Sequence, residues 1–207
     1  MNCGFSNLKS LKQELLLAAD LSGTDNDASV AALGLGVAAL FESACARKFR
    51  REVGWVDQFS ADREFWIAQR YPIETVTAVE IRRDYASGFV AQSGQPANVN
   101  ERSGQFYFGG TLGAYGETAR ITYTGGFWWD ESETTPGTMP TGATLLPEDL
   151  RAAWVMQCRW FWERRSITDR AKAGFAEDTA ALGFAGSQDD LLMPVRQVLA
   201  AYRRIAQ

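Results

Sequence analysis

Apolar positions recur at helical spacing near both ends of this chain and at strand spacing in its middle. Leu8, Leu11 and Leu15, with Ala18 or Ala19, fall on one face of a helix predicted over Ser6–Asp20, with Ser6 as its N-cap. The polar turn Ser22–Asp27 follows. Asp27 can cap a longer helix reaching about Arg47, whose apolar face is Val30, Leu33, Val37, Leu40, Phe41 and Ala44. Gly34 and Gly36 weaken that helix by about 1 kcal/mol each relative to Ala. Close helix packing or a hinge would account for them.

From Arg50 the period changes. Phe65–Tyr71, Val76–Arg83, Gln105–Phe108 and Ala119–Thr124 read as strands rich in aromatic and β-branched residues. In the last of them Ala119, Ile121 and Tyr123 alternate with Arg120, Thr122 and Thr124, as a half-buried strand requires. The clusters Ser87–Gly94 and Gly109–Gly116 separate strands, and Pro72 favours an extended Tyr71.

A polar linker, Asp130–Leu145 with Pro136 and Pro140, leads into a third helix. Pro147 suits its first position, and Glu148 and Asp149 suit its dipole. Leu150, Trp154, Cys158, Phe161 and Trp162 share one face, and Arg164 and Arg165 close the helix. Thr168–Gln188 is small, polar and irregular. Asp190–Ala206 reads as a final amphipathic helix, with a start near Pro194 as an alternative. Its apolar side is Leu191, Leu192, Val195, Val198, Leu199 and Tyr202, and Arg196, Arg203 and Arg204 make it locally basic.

The order predicts an α+β fold, mainly a helical bundle, with a β-rich insertion between the second and third long helices. The distant helices must pack on one another, because none buries its face alone. The expected divisions are residues 1–49 for the N-terminal helices and 50–129 for the β-rich insertion. Residues 130–166 form a linker and the aromatic helix, and 167–207 a flexible linker and the C-terminal helix.

Composition narrows the chemistry. The 207 residues suffice for one large or two small domains. A net charge of −4 argues against gripping nucleic acid through a basic face, although DNA could pass a weakly repelling wall. There is no histidine, which excludes Ser-His and Cys-His nucleophiles and His-ligated metals. Cys3, Cys45 and Cys158 are odd in number and widely spaced, so a disulfide framework is not expected and a reducing compartment is favoured. Met1–Lys12 has no long apolar core of a signal peptide, and no run approaches a membrane span. No cofactor or metal is expected.

The motifs that invite chemistry read more simply as structure. GGTLGAYG at Gly109–Gly116 lacks the Lys-Ser/Thr of a phosphate loop and precedes a strand, so a hairpin loop is expected. The GLG at Gly34–Gly36 lies inside a helical pattern, where a dinucleotide fingerprint fails. The acidic pairs Glu131/Glu133, Glu148/Asp149, Glu177/Asp178 and Asp189/Asp190 fall in loops or helix starts, where solvated acids belong. Phe127, Trp128 and Trp129 could stack a sugar or base, whereas Trp154, Phe161 and Trp162 are expected in a core or subunit interface, and Trp160, off that face, would meet a neighbouring protein if exposed.

Taken in order, these segments resemble the head–tail connector (adaptor) proteins of tailed bacteriophages, including the related gene transfer agents. The resemblance begins with SNLKSLKQELLL, a polar turn and a long helix ending in ACARKF. RYPIETVTAVEIRR is similar to the family's proline-valine entry into a β-strand. ARITYTGGFWW and LPEDLRAAWVMQCRWFWERR match the family's succession V-x-Y-x-x-G-[YF] and P-x-D-L-x-x-A. DDLLMPVRQVLAAYRR is similar to its terminal L-L-x-x-Y-R-R segment.

The resemblance implies a non-enzymatic part of a virion neck, assembled in the host cytoplasm. It implies a homo-oligomeric ring, commonly a dodecamer, beneath the portal protein. That ring extends the DNA channel and offers a platform to a tail-side connector or tail terminator protein. Packaged DNA would pass without sequence-specific binding, and no membrane is involved. In the family the C-terminal segment reaches the portal. By position that role falls on Leu191, Leu192, Val195, Leu199, Tyr202, Arg203 and Arg204. Two other readings stand beside it: a carbohydrate- or ligand-binding module using Trp128 and Trp129, and a carboxylate-based enzyme.

Overall fold

A computed structural model describes residues 3–15, 24, 26–135, 137–172 and 188–204. The chain divides into two units. The first, mainly helical, comprises Met1–Cys45, Trp129–Met139 and Leu146–Arg203. The second, built of strands, comprises Ala46–Trp128, Pro140–Leu145 and Arg204–Gln207.

In the helical unit, α1 spans Leu8–Glu14 and α2 spans Asp27–Cys45. Asn7, not Ser6, caps α1: its Oδ1 accepts from the Ser10 amide at 2.8 Å. Leu15 is the C-cap, so the helix is shorter than its apolar spacing suggests, and positions 16–20 lie outside the described residues. Asp27 is the first residue of α2 and forms an ion pair with the buried Lys12. The helix ends at Cys45, two residues before the expected Arg47, because Ala46 turns left-handed at φ 51°.

Gly34 marks a close approach. A Cβ there would lie 2.0 Å from the Cys3 carbonyl oxygen, and one on Gly4 would lie 2.6 Å from the Gly34 carbonyl oxygen. The N-terminal segment thus rests directly on the α2 backbone, which accounts for Gly34 by packing rather than by a hinge.

α2 is also long and apolar enough by composition to cross a membrane, with a mean hydropathy of 1.7 over its best window. This corrects the expectation that no run approaches a span. Here Val30, Val37 and Phe41 lie in the core of the helical unit.

The third helix, α3, spans Glu148–Lys172 and starts one residue after Pro147. It continues past Arg164 and Arg165 into the stretch expected to be irregular, and residues 173–187 lie outside the described part. Leu150, Trp154 and Cys158 are buried. The Trp154 indole N–H donates to the Gly34 carbonyl at 3.0 Å, and its ring packs against Phe5 at 5.9 Å. The final helix is not the single long one expected over Asp190–Ala206. A 3-10 turn at Gln188–Asp190 precedes the eight-residue α4, Met193–Ala200, with Pro194 in its first turn.

The second unit holds nine strands among the described residues. β1 is Glu52–Ser60, β2 Phe65–Ile67, β3 Ile73–Arg82, β4 Val90–Ala91 and β5 Asn98–Asn100. β6 is Gln105–Tyr107, β7 Thr118–Gly125, β8 Phe127–Trp128 and β9 Thr144–Leu145. An antiparallel sheet runs β1-β7-β3-β4, a second runs β2-β6-β5, and β8 pairs with β9 in parallel. Ala119, Ile121 and Tyr123 of β7 are all 0% exposed, so the expected alternation sets its inward face. The Gly109–Gly116 loop joins β6 to β7, which lie in different sheets, so it is not the hairpin loop expected.

This corrects the fold class. The protein is a β-rich α+β fold, not mainly a helical bundle. The middle of the chain encloses its own core, including Phe59, Ile73, Val79, Phe106, Ile121 and Tyr123. Of the four helices among the described residues, α1 and α4 have only seven and eight residues. Helical periodicity at the termini overstated their length, while the bulged β1 and several strands of two or three residues carry too little alternation to register.

Candidate functional site

The C-terminal segment is positioned by a residue whose side chain has two roles. Gln157 on α3 is 0% exposed. Its Nε2 donates to the Asp190 carbonyl at 3.1 Å, while its Oε1 accepts from the Leu192 amide at 3.0 Å. A primary amide suits this, since it offers donors and an acceptor side by side. It satisfies backbone groups at the start of α4, where the helix itself leaves N–H groups unpaired. Leu192 has no side-chain cap of its own.

Below that clamp the apolar residues turn inward. Leu191, Val195 and Leu199 are 6%, 0% and 3% exposed. Burying such side chains is worth about 1.5–3 kcal/mol each. The Cys45 thiol donates to the Leu199 carbonyl at 3.5 Å, and the Tyr202 hydroxyl donates to Asp149 Oδ1 at 2.6 Å. Three of the seven residues given a portal role by position therefore lie in the core of the helical unit. Leu192 and Tyr202 are half-buried and Arg203 is exposed. Arg204 belongs to the strand unit, where it is half-buried, donates to the Ile67 carbonyl and lies over the Trp66 ring at 5.1 Å.

The outward side of the segment carries Met193, Arg196 and Arg203. Arg196 donates from Nε to the Leu191 carbonyl at 2.9 Å and from Nη2 to the Asp189 carbonyl at 2.5 Å. Arg203 donates from Nε to the Ala44 carbonyl at 3.2 Å.

The aromatic residues expected in a core or interface divide. Trp154 is fully buried, whereas Phe161 and Trp162 are half-buried. Trp160 is half-buried too, its ring edge-on to Phe161 at 4.8 Å with Arg164 over it at 4.9 Å. Trp128 and Trp129, the candidate stacking platform, are each half-buried, and the Trp129 ring lies 5.4 Å from Phe5.

The strand unit contains a polar centre that sequence reading missed. Asp57 on β1 is 1% exposed. Its Oδ2 accepts from the Tyr123 hydroxyl at 2.9 Å, the Gln69 amide at 2.8 Å and the Trp66 indole at 3.4 Å. Its Oδ1 accepts from the Trp55 indole at 2.8 Å. The Tyr123 oxygen in turn accepts from the Arg70 amide at 3.1 Å. Burial, then the Asp57 charge, pushes the Tyr123 hydroxyl well above the ordinary tyrosine range. A carboxylate saturated by four donors is held in place rather than poised for proton transfer.

All three cysteines are buried and outside any disulfide. Burial pushes Cys3 up to about 12 and Cys158 well above the ordinary range. Among the described residues no group of three or more His, Cys, Asp or Glu could hold a metal ion. The pair Glu177/Asp178 lies outside those residues, while Glu148, Asp149 and Asp189 are exposed.

No family model matches the chain, and no curated protein matches it significantly. Among solved structures it is similar to a chain in the neck of an empty GTA particle computed with C6 symmetry. The identity is 14% and the TM-score 0.46, over 93% of this chain and 90% of that one.

Proposed function

We propose that the chain is a structural head–tail connector of a tailed-phage or gene-transfer-agent particle. In this reading it forms a ring under the portal, extends the DNA channel and provides a platform for tail attachment. The order of sequence segments over nearly the whole chain supports it. The structural observation that carries it is the C-terminal segment, pinned by Gln157 and presenting Arg196 and Arg203 outward. A connector must present a fixed element to the portal, and a sugar-binding module needs none.

The portal role divides along the segment. Leu191, Val195 and Leu199 anchor it to the helical unit, and exposed Arg203, with the accessible parts of half-buried Leu192 and Tyr202, would meet the partner. Arg204, next in sequence, is engaged within the strand unit by the Ile67 carbonyl and the Trp66 ring. Subunit contacts would use half-buried Phe161 and Trp162 together with exposed Leu35 and Met156. A stable contact buries about 800 Å² on each partner, more than these four side chains supply, so flanking surface must take part. The action is mechanical and stoichiometric: assembly buries apolar surface, retains packaged DNA and gives the tail a place to dock.

The ligand-module alternative needs an open aromatic platform. Half-burial of Trp128 and Trp129, with the Trp129 ring against Phe5, does not supply one. The connector reading is tested by mixing the purified chain with portal rings and imaging by electron microscopy. A second ring stacked on the portal is expected. Persistent unbound monomers would refute it.

A further inference from the structure

Beside α4 the helical unit opens a groove of about 270 Å³. Leu191, Leu199, Ala44 and Ala200 form its apolar floor. Arg196 and Arg203 line it, with Asp189 also at its edge. We propose that this groove binds an acidic, apolar-faced segment of the partner protein, with a carboxylate held by Arg203. The proposal rests on the connector reading and reverses the direction of insertion: the partner enters the groove, and Leu191 and Leu199 stay where they are.

Charge complementarity identifies the occupant. Arg196 and Arg203 are both held by backbone carbonyls, and among the described residues neither makes an ion pair with a carboxylate. Among the described residues one acid, Asp189, lines the groove against these two fixed positive charges, and the net positive balance favours an incoming anion. A guanidinium has five N–H donors in a rigid fork. Arg196 uses two nitrogens on the Leu191 and Asp189 carbonyls, whereas among the described residues Arg203 uses only Nε, on the Ala44 carbonyl. Within that part of the chain both terminal nitrogens of Arg203 remain for a two-pronged carboxylate contact. The exposed Asp189 repels acids from the Arg196 side and so directs the carboxylate towards Arg203.

Two other occupants fit less well. Small-molecule pockets generally span about 300–1,000 Å³ and enclose their ligand. This groove is smaller, and its floor is apolar. Nucleic acid requires a run of cations, whereas the chain carries −4 overall. An acidic segment with apolar side chains on its other face uses both the floor and the charge.

The test uses the full chain and its Arg203→Gln, Arg203→Lys and Ala200→Glu variants. Arg203 and Ala200 are exposed, and circular dichroism and melting should match the unsubstituted chain. Two ligands are titrated: a short labelled peptide with Leu and Glu on opposite helical faces, and purified portal rings. The peptide's Lys-for-Glu counterpart is the control.

The expected result is binding of both ligands by the unsubstituted chain, weakened about tenfold or more by Arg203→Gln and Ala200→Glu. Arg203→Lys should restore only part of it, since an ammonium lacks the fork. Equal binding of the Lys peptide, or variants that bind the peptide unchanged, would overturn the groove assignment. So would variants that bind portal rings unchanged, with the connector reading left standing. Groove-dependent peptide binding without any portal binding would instead support the acidic-segment site and overturn the connector reading.

Discussion

The hydroxyl of Tyr123 on β7 donates to the buried carboxylate of Asp57 on β1 across 2.9 Å. The two residues are not direct cross-strand partners: Tyr123 pairs with Trp55, and Asp57 with Ile121. Their contact is therefore a diagonal tie across the β1–β7 pair. Asp57 also accepts from the Gln69 amide, and Tyr123 from the Arg70 amide. These side chains satisfy backbone N–H groups just where β2 stops pairing.

Asp57→Ala should destabilise the protein by about 3 kcal/mol or more, because it strands four donors around one buried position. Tyr123→Phe should cost about 1–3 kcal/mol, and a double-mutant cycle should show coupling between the two. Urea unfolding followed by tryptophan fluorescence reads both. A loss under about 1 kcal/mol for Asp57→Ala would mean that the centre does not hold the sheet.

This centre also shows where the sequence is readable. β7 is legible because inward and outward residues alternate without interruption from Ala119 to Tyr123. β1 is not, because its pairing register shifts between Glu52 and Trp55, with Gly54 at φ 69°, and an acid faces inward at Asp57. The predicted Phe65–Tyr71 strand ends at Ile67, because the chain bends at Gln69, whose amide donates to the Asp57 carboxylate, a break that pattern alone does not carry.

In the candidate site the apolar stripe of α4 was legible, and the side it faces was not. An amphipathic face looks the same whether it meets its own chain or another. One signal for Gln157 was present: Leu150, Ala153, Trp154, Gln157 and Cys158 follow core spacing, and a lone amide within that stripe implies backbone partners.

Gly34→Ala reverses the usual effect of its substitution. In a free helix it would stabilise by about 1 kcal/mol. Here the new Cβ would lie 2.0 Å from the Cys3 carbonyl oxygen, so net destabilisation is expected on thermal melting. A raised melting temperature would show that the N-terminal segment does not rest on α2.

Gln157→Leu should loosen the C-terminal segment selectively. It removes both bonds to residues 190–192 and leaves a carbonyl and an amide unpaired, at about 1–3 kcal/mol each if they stay dry. Hydrogen exchange should accelerate across Met193–Ala200 more than across β7. Uniform exchange in both regions would contradict the clamp.

Alkaline pH should destabilise the protein through its neutral buried groups. Cys3, Cys158 and Tyr123 all have folded values raised by burial above their unfolded ones. Their stabilising contribution is present in full below the unfolded values, about 8.5 for a thiol and 10 for tyrosine. It is lost as pH rises through the folded values, beginning near pH 9 and reaching about 12 for Cys3. Urea midpoints should fall steadily over that window, and a flat profile would contradict the burial of these groups.

Deleting Asp190–Gln207 would not isolate docking, because Leu191, Val195 and Leu199 would leave the core of the helical unit. The most direct test of the connector account is high-resolution imaging of the particle that contains this chain. The account predicts a ring of copies between portal and tail, with the Leu191–Arg203 segment of each against the portal. A particle whose neck lacks the chain, or a ring whose C-terminal segments point away from the portal, would contradict it.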